Sequence, residues 1–340
     1  MKSILAHLVA GNDLSEEQSR AAFEIVLKGD ADKAQIAALL ALIQRNGIRT
    51  PALTGAARMM REHASKVTAS QNLGPIVDTC GTGGAQKTFN ISTCAAVVAA
   101  SCGDPSTIRV AKHGNRSRTG RGSAEILEKL GVNLDASAET QARCLDEVGI
   151  CFSFAIRHHP AAKHAAGPRA ALGFPTIFNL LGPLTNPAGA RRQVLGVFDK
   201  QYVEPMAEAL LALGAERAMV LHSNDGLDEL TTTDTTFIAH VENGAVRTEL
   251  FDPAPLGLPM PSIEDLRARD LDDAAALFTA ILTGEPGAPR DIVVLNAAAT
   301  LVVAGVVETI AEGVAMAQGA IDRGESMRTL KALCEQSHHE

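Results

Sequence analysis

The chain has 340 residues, and 31 Lys+Arg against 39 Asp+Glu give a formal charge of −8. With 46% hydrophobic and 21% charged residues the composition is globular rather than disordered, and the length suits two domains or one large domain with a smaller partner. No Trp, one Tyr and 3% aromatics argue against base-stacking platforms, and the acidic balance argues against a general affinity for nucleic acid or anionic membranes.

The first 70 residues read as helices. Ser15 with Gln18 resembles a capping box and predicts a helix towards Lys28. Asp32 with Gln35 repeats the signature, opening a helix that buries Ile36, Leu39, Leu40 and Ile43 and stops near Asn46-Gly47. Thr50-Pro51 reads as a cap with Pro at the first helical position, and this helix is expected to run to about Lys66. After Gly74-Pro75 the pattern changes to strands at 76–79 and 108–111, with a small-residue helix at 92–101 between them. Helices at 123–130 and 138–147 and a strand at 151–154 follow. Residues 160–190, with five prolines around short helical pieces, read as a crossover returning to the helical unit. Alternation resumes with a strand from Val194, a helix at 202–213 and a strand at 219–222. A β-rich excursion around Asn243-Gly244 and closing helices complete the chain. The predicted fold class is α/β with a small all-helical domain and a mostly parallel central sheet flanked by helices. The expected division is a helical domain over 1–70, completed by the crossover around 165–190, and an α/β domain from 74–165 and 191–340.

Six cysteines, none in a CxxC, are expected to be reduced and mostly buried. The N-terminus lacks the apolar core of a signal peptide. The apolar stretch from Ile292 to Ile310 is interrupted by Asn296, Thr300, Gly305 and Glu308, so it reads as buried helix and the protein as soluble and cytoplasmic.

Three segments carry chemistry. The loop from Asp78 through Gly81, Gly83 and Gly84 to Ser92-Thr93 follows a strand and precedes a helix. Its glycines allow consecutive backbone N–H groups to face an anion, although a tight βα turn with an ordinary cap has the same composition. The segment Lys112-His113-Gly114-Asn115-Arg116-Ser117-Arg118-Thr119-Gly120-Arg121 concentrates four cations after a strand, which suits a polyanionic small ligand or a solvated charged face. In Asp225-Gly226-Leu227-Asp228-Glu229 the acidic oxygens suit Mg²⁺ rather than zinc, or a capped turn. Together the segments suggest a phosphorylated ligand carrying Mg²⁺. The histidines show no HExxH or Cys/His metal spacing, and there is no GxSxG elbow.

In this order, GTGG, TFNIST, KHGNR, GSAE, HPA, TIFNLLGPLTNP and DGLDE resemble the anthranilate phosphoribosyltransferase family over essentially the whole chain. The resemblance implies transfer of phosphoribose from phosphoribosyl pyrophosphate (PRPP) to anthranilate, Mg²⁺ as cofactor, and a homodimer that contacts neither nucleic acid nor membrane. By position it implies that substrates are held by Gly81, Gly84, Ala85, Thr88, Asn90, Ile91, Ser92 and Thr93 of the first loop. From the basic loop it adds Lys112, His113, Gly114, Asn115, Arg116, Thr119, Gly120 and Ser123, and further on His159, Arg169, Gly182 and Pro183. Lys112, His113, Asn115 and Arg169 are the implied catalytic set, with Arg169 on the anthranilate carboxylate. Ser92, Asp228 and Glu229 are the implied Mg²⁺ ligands.

Against the family pattern GTGGDG, the first loop is one residue shorter and lacks the Asp, and Lys87 is expected to supply charge there. The basic loop is also one residue short, and GSAD has become GSAE at Glu125. The alternatives these departures leave are a paralogue of altered donor or acceptor specificity, or a non-catalytic nucleic-acid-binding paralogue.

Overall fold

Four helices open the computed structural model, which describes residues 1–86, 88–117 and 120–339. They are α1 (Lys2–Val9), α2 (Glu16–Lys28), α3 (Lys33–Asn46) and α4 (Thr50–Glu62). Both expected capping boxes are present. Gln18 N donates to Ser15 Oγ at 3.1 Å and Ser15 N to Gln18 Oε1 at 2.9 Å, while Asp32 N donates to Gln35 Oε1 at 3.3 Å. Gly29 closes α2 in the left-handed region, at φ 80°. Helix α4 departs from expectation at both ends. Arg49 is its cap, Pro51 is its second residue, and the Thr50 hydroxyl donates to Glu208 at 2.6 Å instead. It ends at Glu62 because the chain beyond turns its backbone outward: Ser65 N donates to His158 O at 2.9 Å and Val67 N to Pro187 O at 3.0 Å. Inside the unit, Gly55 of α4 lies against the Glu16 carbonyl and Ser19, a helix approach that a Cβ would block.

Alternation then begins with β1 (Ile76–Asp78), α5 (Ile91–Ala100), β2 (Arg109–Gly114), α6 (Ser123–Lys129), α7 (Ala138–Arg143) and β3 (Ile150–Phe154). A π turn, Cys144–Val148, extends α7 over the remainder of the helix expected there. The Pro-rich stretch forms α8 (Ala155–His158), α9 (Lys163–Leu172) and α10 (Ile177–Leu181), joined by 3₁₀ turns. The sheet resumes with β4 (Arg192–Gly196), α11 (Val203–Ala212), β5 (Arg217–Ser223), β6 (Thr236–Glu242) and β7 (Ala245–Phe251). The chain closes with α12 (Leu271–Leu282), α13 (Ala288–Ala304), α14 (Ile310–Asp322) and α15 (Glu325–Ser337).

The seven strands lie in the order β3-β2-β1-β4-β5-β6-β7. β1 to β5 are mutually parallel, and β6 and β7 are antiparallel additions. Asn243 (φ 52°) and Gly244 (φ 74°) both take the positive φ that a two-residue hairpin turn requires. Alternate strand residues feed two cores. Met219 and Leu221 face α5, α13 and α14, whereas Ala218 and Val220 face α11 and, beyond it, the helices α2, α3, α4, α9 and α10. The apolar stretch from Ile292 is α13, buried from Ile292 to Ala304. Among the described residues no helix is long and apolar enough to cross a membrane. All six cysteines are free, and five are buried.

Candidate active site

The strand order reverses between β1 and β4, and the loops that follow β1, β2, β4 and β5 converge there, as expected at the carboxyl edge of an open parallel sheet. Three segments touch at this point. Thr82 N donates to Gly196 O at 2.9 Å and Phe198 N to Thr82 Oγ1 at 3.0 Å. A Cβ on Gly81 would lie 3.3 Å from Asp228 Oδ2, and one on Gly196 would collide with the Asp228 carbonyl. Glycine at these two positions lets the acidic loop lie directly on the first loop.

Lys112, buried in β2, reaches under the first loop. Its Nζ donates to Thr79 O at 2.8 Å and lies 3.5 Å from Ser92 Oγ. Ser92 N in turn donates to Glu229 Oε1 at 3.1 Å. Burial and the adjacent Asp228 carboxylate push the Glu229 carboxyl well above the usual carboxylate range, opposed by Lys112. Two carboxylates that repel each other beside a serine hydroxyl form a hard oxygen donor set, and this strain is what a divalent cation relieves. The residues therefore fit Mg²⁺. Thr79, Gly81, Ser92, Gly196, Asp228, Glu229, Asn296 and Thr300 line a small cavity of about 10 Å³ at this spot. Asp225 does not join the pair. Its carboxylate accepts from Leu227 N at 3.0 Å and Thr231 Oγ1 at 2.6 Å, and from Thr233 Oγ1, so it shapes the turn.

The remaining first-loop residues divide. Gly83 and Gly84 take positive φ, 62° and 97°, with Gly84 beside Phe198 and Ala85 next in the loop. Thr88 Oγ1 donates to Phe89 O at 3.1 Å. The side chains of Ile91 and Thr93 are buried in α5, and Ile91 N donates to Phe89 O at 2.9 Å. Asn90 Nδ2 donates to Arg121 O at 3.2 Å and so joins the first loop to the basic loop.

In the basic loop, Gly114 is required by close packing, since a Cβ there would meet Ser123 and Phe152. Asn115 Oδ1 accepts from Arg116 N at 2.8 Å, and Ser123 Oγ donates to Asn115 O at 3.4 Å. Arg116 is turned away onto Glu128, with N–O distances of 2.9 and 3.0 Å, and Arg121 donates to Ala268 O. Gly120 is exposed at φ 69°. Lys87, Arg118 and Thr119 lie outside the described residues.

Beside the basic loop, both His113 ring nitrogens are buried without a hydrogen-bond partner among the described residues. The ring meets His159 edge-on at 5.3 Å between centroids, with the Gly182 backbone alongside. Burial, reinforced by the mutual proximity of the two histidines and of His158, holds His113 well below the usual imidazole range and His159 at about 4. Both are neutral at pH 7. His159 Nε2 lies 3.3 Å from Thr185 Oγ1, and Pro183 O accepts from Gln193 Nε2 at 2.8 Å. A Cβ on Gly182 would meet open space. Arg169, on α9, sits over the Phe178 ring at 5.0 Å, partly buried and with no ion-pair partner among the described residues. Burial lowers its affinity for the proton.

The sequence reading missed three residues that position this site. Asp78 is fully buried: its Oδ1 accepts from His113 N at 3.1 Å, Asn186 faces it, and its Oδ2 has no partner. Asn186 also donates to Ala111 O at 2.8 Å, linking the crossover to β2. Asn296 clasps Leu230, donating to its carbonyl at 2.8 Å and accepting from its N–H at 3.0 Å, directly beyond Asp228-Glu229. A lone amide inside an apolar helix was the available signal for Asn296. One ligand atom each of Asp78, Cys80 and His113 falls within 4.8 Å of the others. The positive charge of Lys112 already acts there, however, and burial pushes the Cys80 thiol up, away from the thiolate that a soft metal takes. A cavity of about 350 Å³ lies elsewhere, over β5, β6 and β7, and its Arg247, Glu242, Glu249 and His240 pair with one another.

Residues 2–64 match the family model of the glycosyl transferase family, helical bundle domain, and residues 73–327 that of the glycosyl transferase family, a/b domain. The chain is 49% identical to the anthranilate phosphoribosyltransferase of Paramagnetospirillum magneticum, covering 98% of this chain and 95% of that one. It is 48% identical to that of Rhodospirillum rubrum, covering 98% and 94%. The crystal structure of the Thermus thermophilus anthranilate phosphoribosyltransferase superposes with a TM-score of 0.92, at 38% identity and 99% coverage of each chain. The Saccharomyces cerevisiae enzyme, in complex with PRPP and Mg, shares the fold with a TM-score of 0.88, at 24% identity over 98% of this chain and 97% of that one.

Burial, opposed by Lys112, raises Asp78 to about 6. A carboxyl with a raised native pKa favours folding fully below its unfolded value, and that contribution is lost as pH rises through 6. The unfolding free energy of wild type minus that of Asp78→Asn should therefore fall by about 1 kcal/mol between pH 5 and 7.5. Denaturant titrations at the two pH values check this; a constant difference would mean that Asp78 titrates as an ordinary carboxyl.

Proposed function

We infer from this geometry that the chain, which belongs to the anthranilate phosphoribosyltransferase family, is a pentosyltransferase of tryptophan biosynthesis. It transfers the phosphoribosyl group of 5-phosphoribosyl 1-pyrophosphate to anthranilate, giving N-(5-phosphoribosyl)anthranilate and pyrophosphate. The observation that supports the residue-level reading best is the convergence of Gly81, Ser92, Lys112, Asp228 and Glu229 where the sheet order reverses.

The backbone N–H groups of Gly81, Gly83 and Gly84 and the start of α5 bind the pyrophosphate, and Lys112 brings positive charge beneath them. Ser92, Asp228 and Glu229 would hold Mg²⁺, which when bound offsets charge growing on the departing pyrophosphate. The anthranilate carboxylate binds the Arg169 guanidinium, which has no ion-pair partner among the described residues and whose two-pronged geometry matches it. The aryl ring lies towards Gly182-Pro183, with neutral His113 and His159 as the polar wall. The aryl amine is neutral at pH 7 and attacks the anomeric carbon from the face opposite the pyrophosphate. It sheds its proton after attack, so no dedicated base is demanded, and catalysis rests on positioning the two substrates.

The helical domain of residues 1–70 with the crossover around 165–190, the α/β domain of 74–165 and 191–340, and the cytoplasmic location are proposed on the same footing. So is a homodimer formed through the helical unit, for which light scattering at micromolar concentration should return twice the chain mass. With Asp228→Ala and Glu229→Ala combined, transfer should drop by about a hundredfold or more, the scale of losing a group that stabilises developing charge. Loss of anthranilate fluorescence across a Mg²⁺ titration reads this out, and an unchanged response would remove the metal assignment. Arg169→Ala should raise KM for anthranilate by about ten- to a hundredfold, the worth of a charged hydrogen-bonded contact, with little effect on KM for PRPP. A rise in the PRPP value alone would move Arg169 to the phosphate site.

A further inference from the structure

We propose that Glu125 is a positioning residue that sets the shape of the basic loop and thereby the affinity for PRPP, an inference that rests on the assignment of this loop to the donor. The carboxylate of Glu125 folds back from the first turn of α6 to the base of the loop. It accepts from Ser117 N at 3.2 and 3.3 Å and from Gly122 N at 3.0 Å. One side chain thus gathers the backbone on both sides of the loop. The gathered segment adds bonds of its own: Arg121 N donates to Ser117 Oγ at 3.0 Å and Gly120 N to Ser117 O at 3.1 Å. Gly122 admits the carboxylate. A Cβ there would lie 2.8 Å from Glu125 Oε2 and 2.7 Å from both Asn115 O and Ser117 N.

The consequence reaches the ligand loops. Holding Gly122 and Ser117 together fixes Arg121, whose carbonyl is the acceptor for Asn90 of the first loop. It also fixes Asn115, whose carbonyl takes Ala124 N at 3.3 Å and Ser123 Oγ at 3.4 Å. Glu125 therefore sets the separation between the two loops that face the pyrophosphate. A carboxylate near a polyanion would be unfavourable if charge were all it contributed. Here its oxygens are occupied by amide hydrogens, so its geometric role outweighs the repulsion.

The two possibilities differ in sign. If Glu125 anchors the loop, Glu125→Gln, with one acceptor oxygen in place of two, weakens PRPP binding about three- to tenfold. Glu125→Asp, one methylene too short to reach both amides, weakens it tenfold or more, and Gly122→Ala does the same by displacing the carboxylate. If Glu125 acts only through its charge, Glu125→Gln tightens binding. The test is calorimetric titration of PRPP with Mg²⁺ into wild type and the three variants, with melting temperatures and steady-state kinetics alongside. The expected result is a raised Kd and KM for PRPP, with KM for anthranilate within about twofold of wild type. Unchanged or tighter PRPP binding in Glu125→Asp and Glu125→Gln overturns the proposal, and so does an equal rise in both KM values. Wild type that fails to bind PRPP overturns the underlying reading of the loop instead.

Discussion

The structure of this site depends on one buried ammonium group. Lys112 lies inside the sheet edge, where a lone cation is costly, and the chain meets that cost from several directions. Thr79 O and Ser92 Oγ face its hydrogens, and the Asp78 and Glu229 carboxylates lie within its field. Those partners come from β1, the start of α5 and the loop after β5, so a single side chain brings three segments into register. Removing one member of such a buried set leaves the others uncompensated, at about 3–5 kcal/mol. Burial of Glu229, with the Asp228 carboxylate beside it, raises the Glu229 pKa, which is the property that suits the pair to a divalent cation.

Around that core the backbone is positioned by side chains from distant parts of the sequence. Asn296 of α13 clasps Leu230, Asn186 of the crossover binds Ala111, and Asp78 of β1 binds the His113 amide. None of these groups needs to touch a substrate. Each satisfies a backbone group that would otherwise lie buried and unpaired, and each thereby fixes a loop that bears candidate ligand contacts. A rigid supporting layer of this kind suits a reaction that depends on orienting two substrates rather than on a covalent enzyme intermediate.

The sequence revealed what is local. Both capping boxes, the order of strands and helices, the apolar helix and the hairpin at Asn243-Gly244 all rest on spacings of a few residues. What it did not reveal depends on partners far along the chain. The helix from Thr50 stops at Glu62 because Ser65 and Val67 pair with residues 158 and 187. Asp225 looks like a third metal ligand in DGLDE, yet its oxygens are taken by Thr231, Thr233 and Leu227. Asp78 resembles the end of an ordinary strand until β2 and the crossover are placed beside it. Glu125 reads from the sequence as a departure from a motif, and only the fold shows that its carboxylate reaches two amides of the loop before it.

The charge balance of the site bears on how a protein of net charge −8 could hold a polyanion. Extra arginines in the basic loop invite the idea that direct ion pairing replaces part of the metal's role. Among the described residues Arg116 is paired with Glu128, Arg121 is bound to a backbone carbonyl and Lys112 is the cation beneath the first loop, while Lys87 and Arg118 lie outside the described residues. Opposite Lys112 stand Asp78, Asp228 and Glu229, and burial makes Asp78 and Glu229 hold their protons more tightly than ordinary carboxyls. Bound Mg²⁺ would take the place of the proton that burial and Asp228 favour on Glu229, and would present positive charge to an incoming pyrophosphate. The shortened loops leave the acidic pair of Asp228 and Glu229 in place beside Ser92. The burden they shift is geometric, onto the single carboxylate of Glu125 and the Asn90–Arg121 bond that holds the two loops at a fixed spacing.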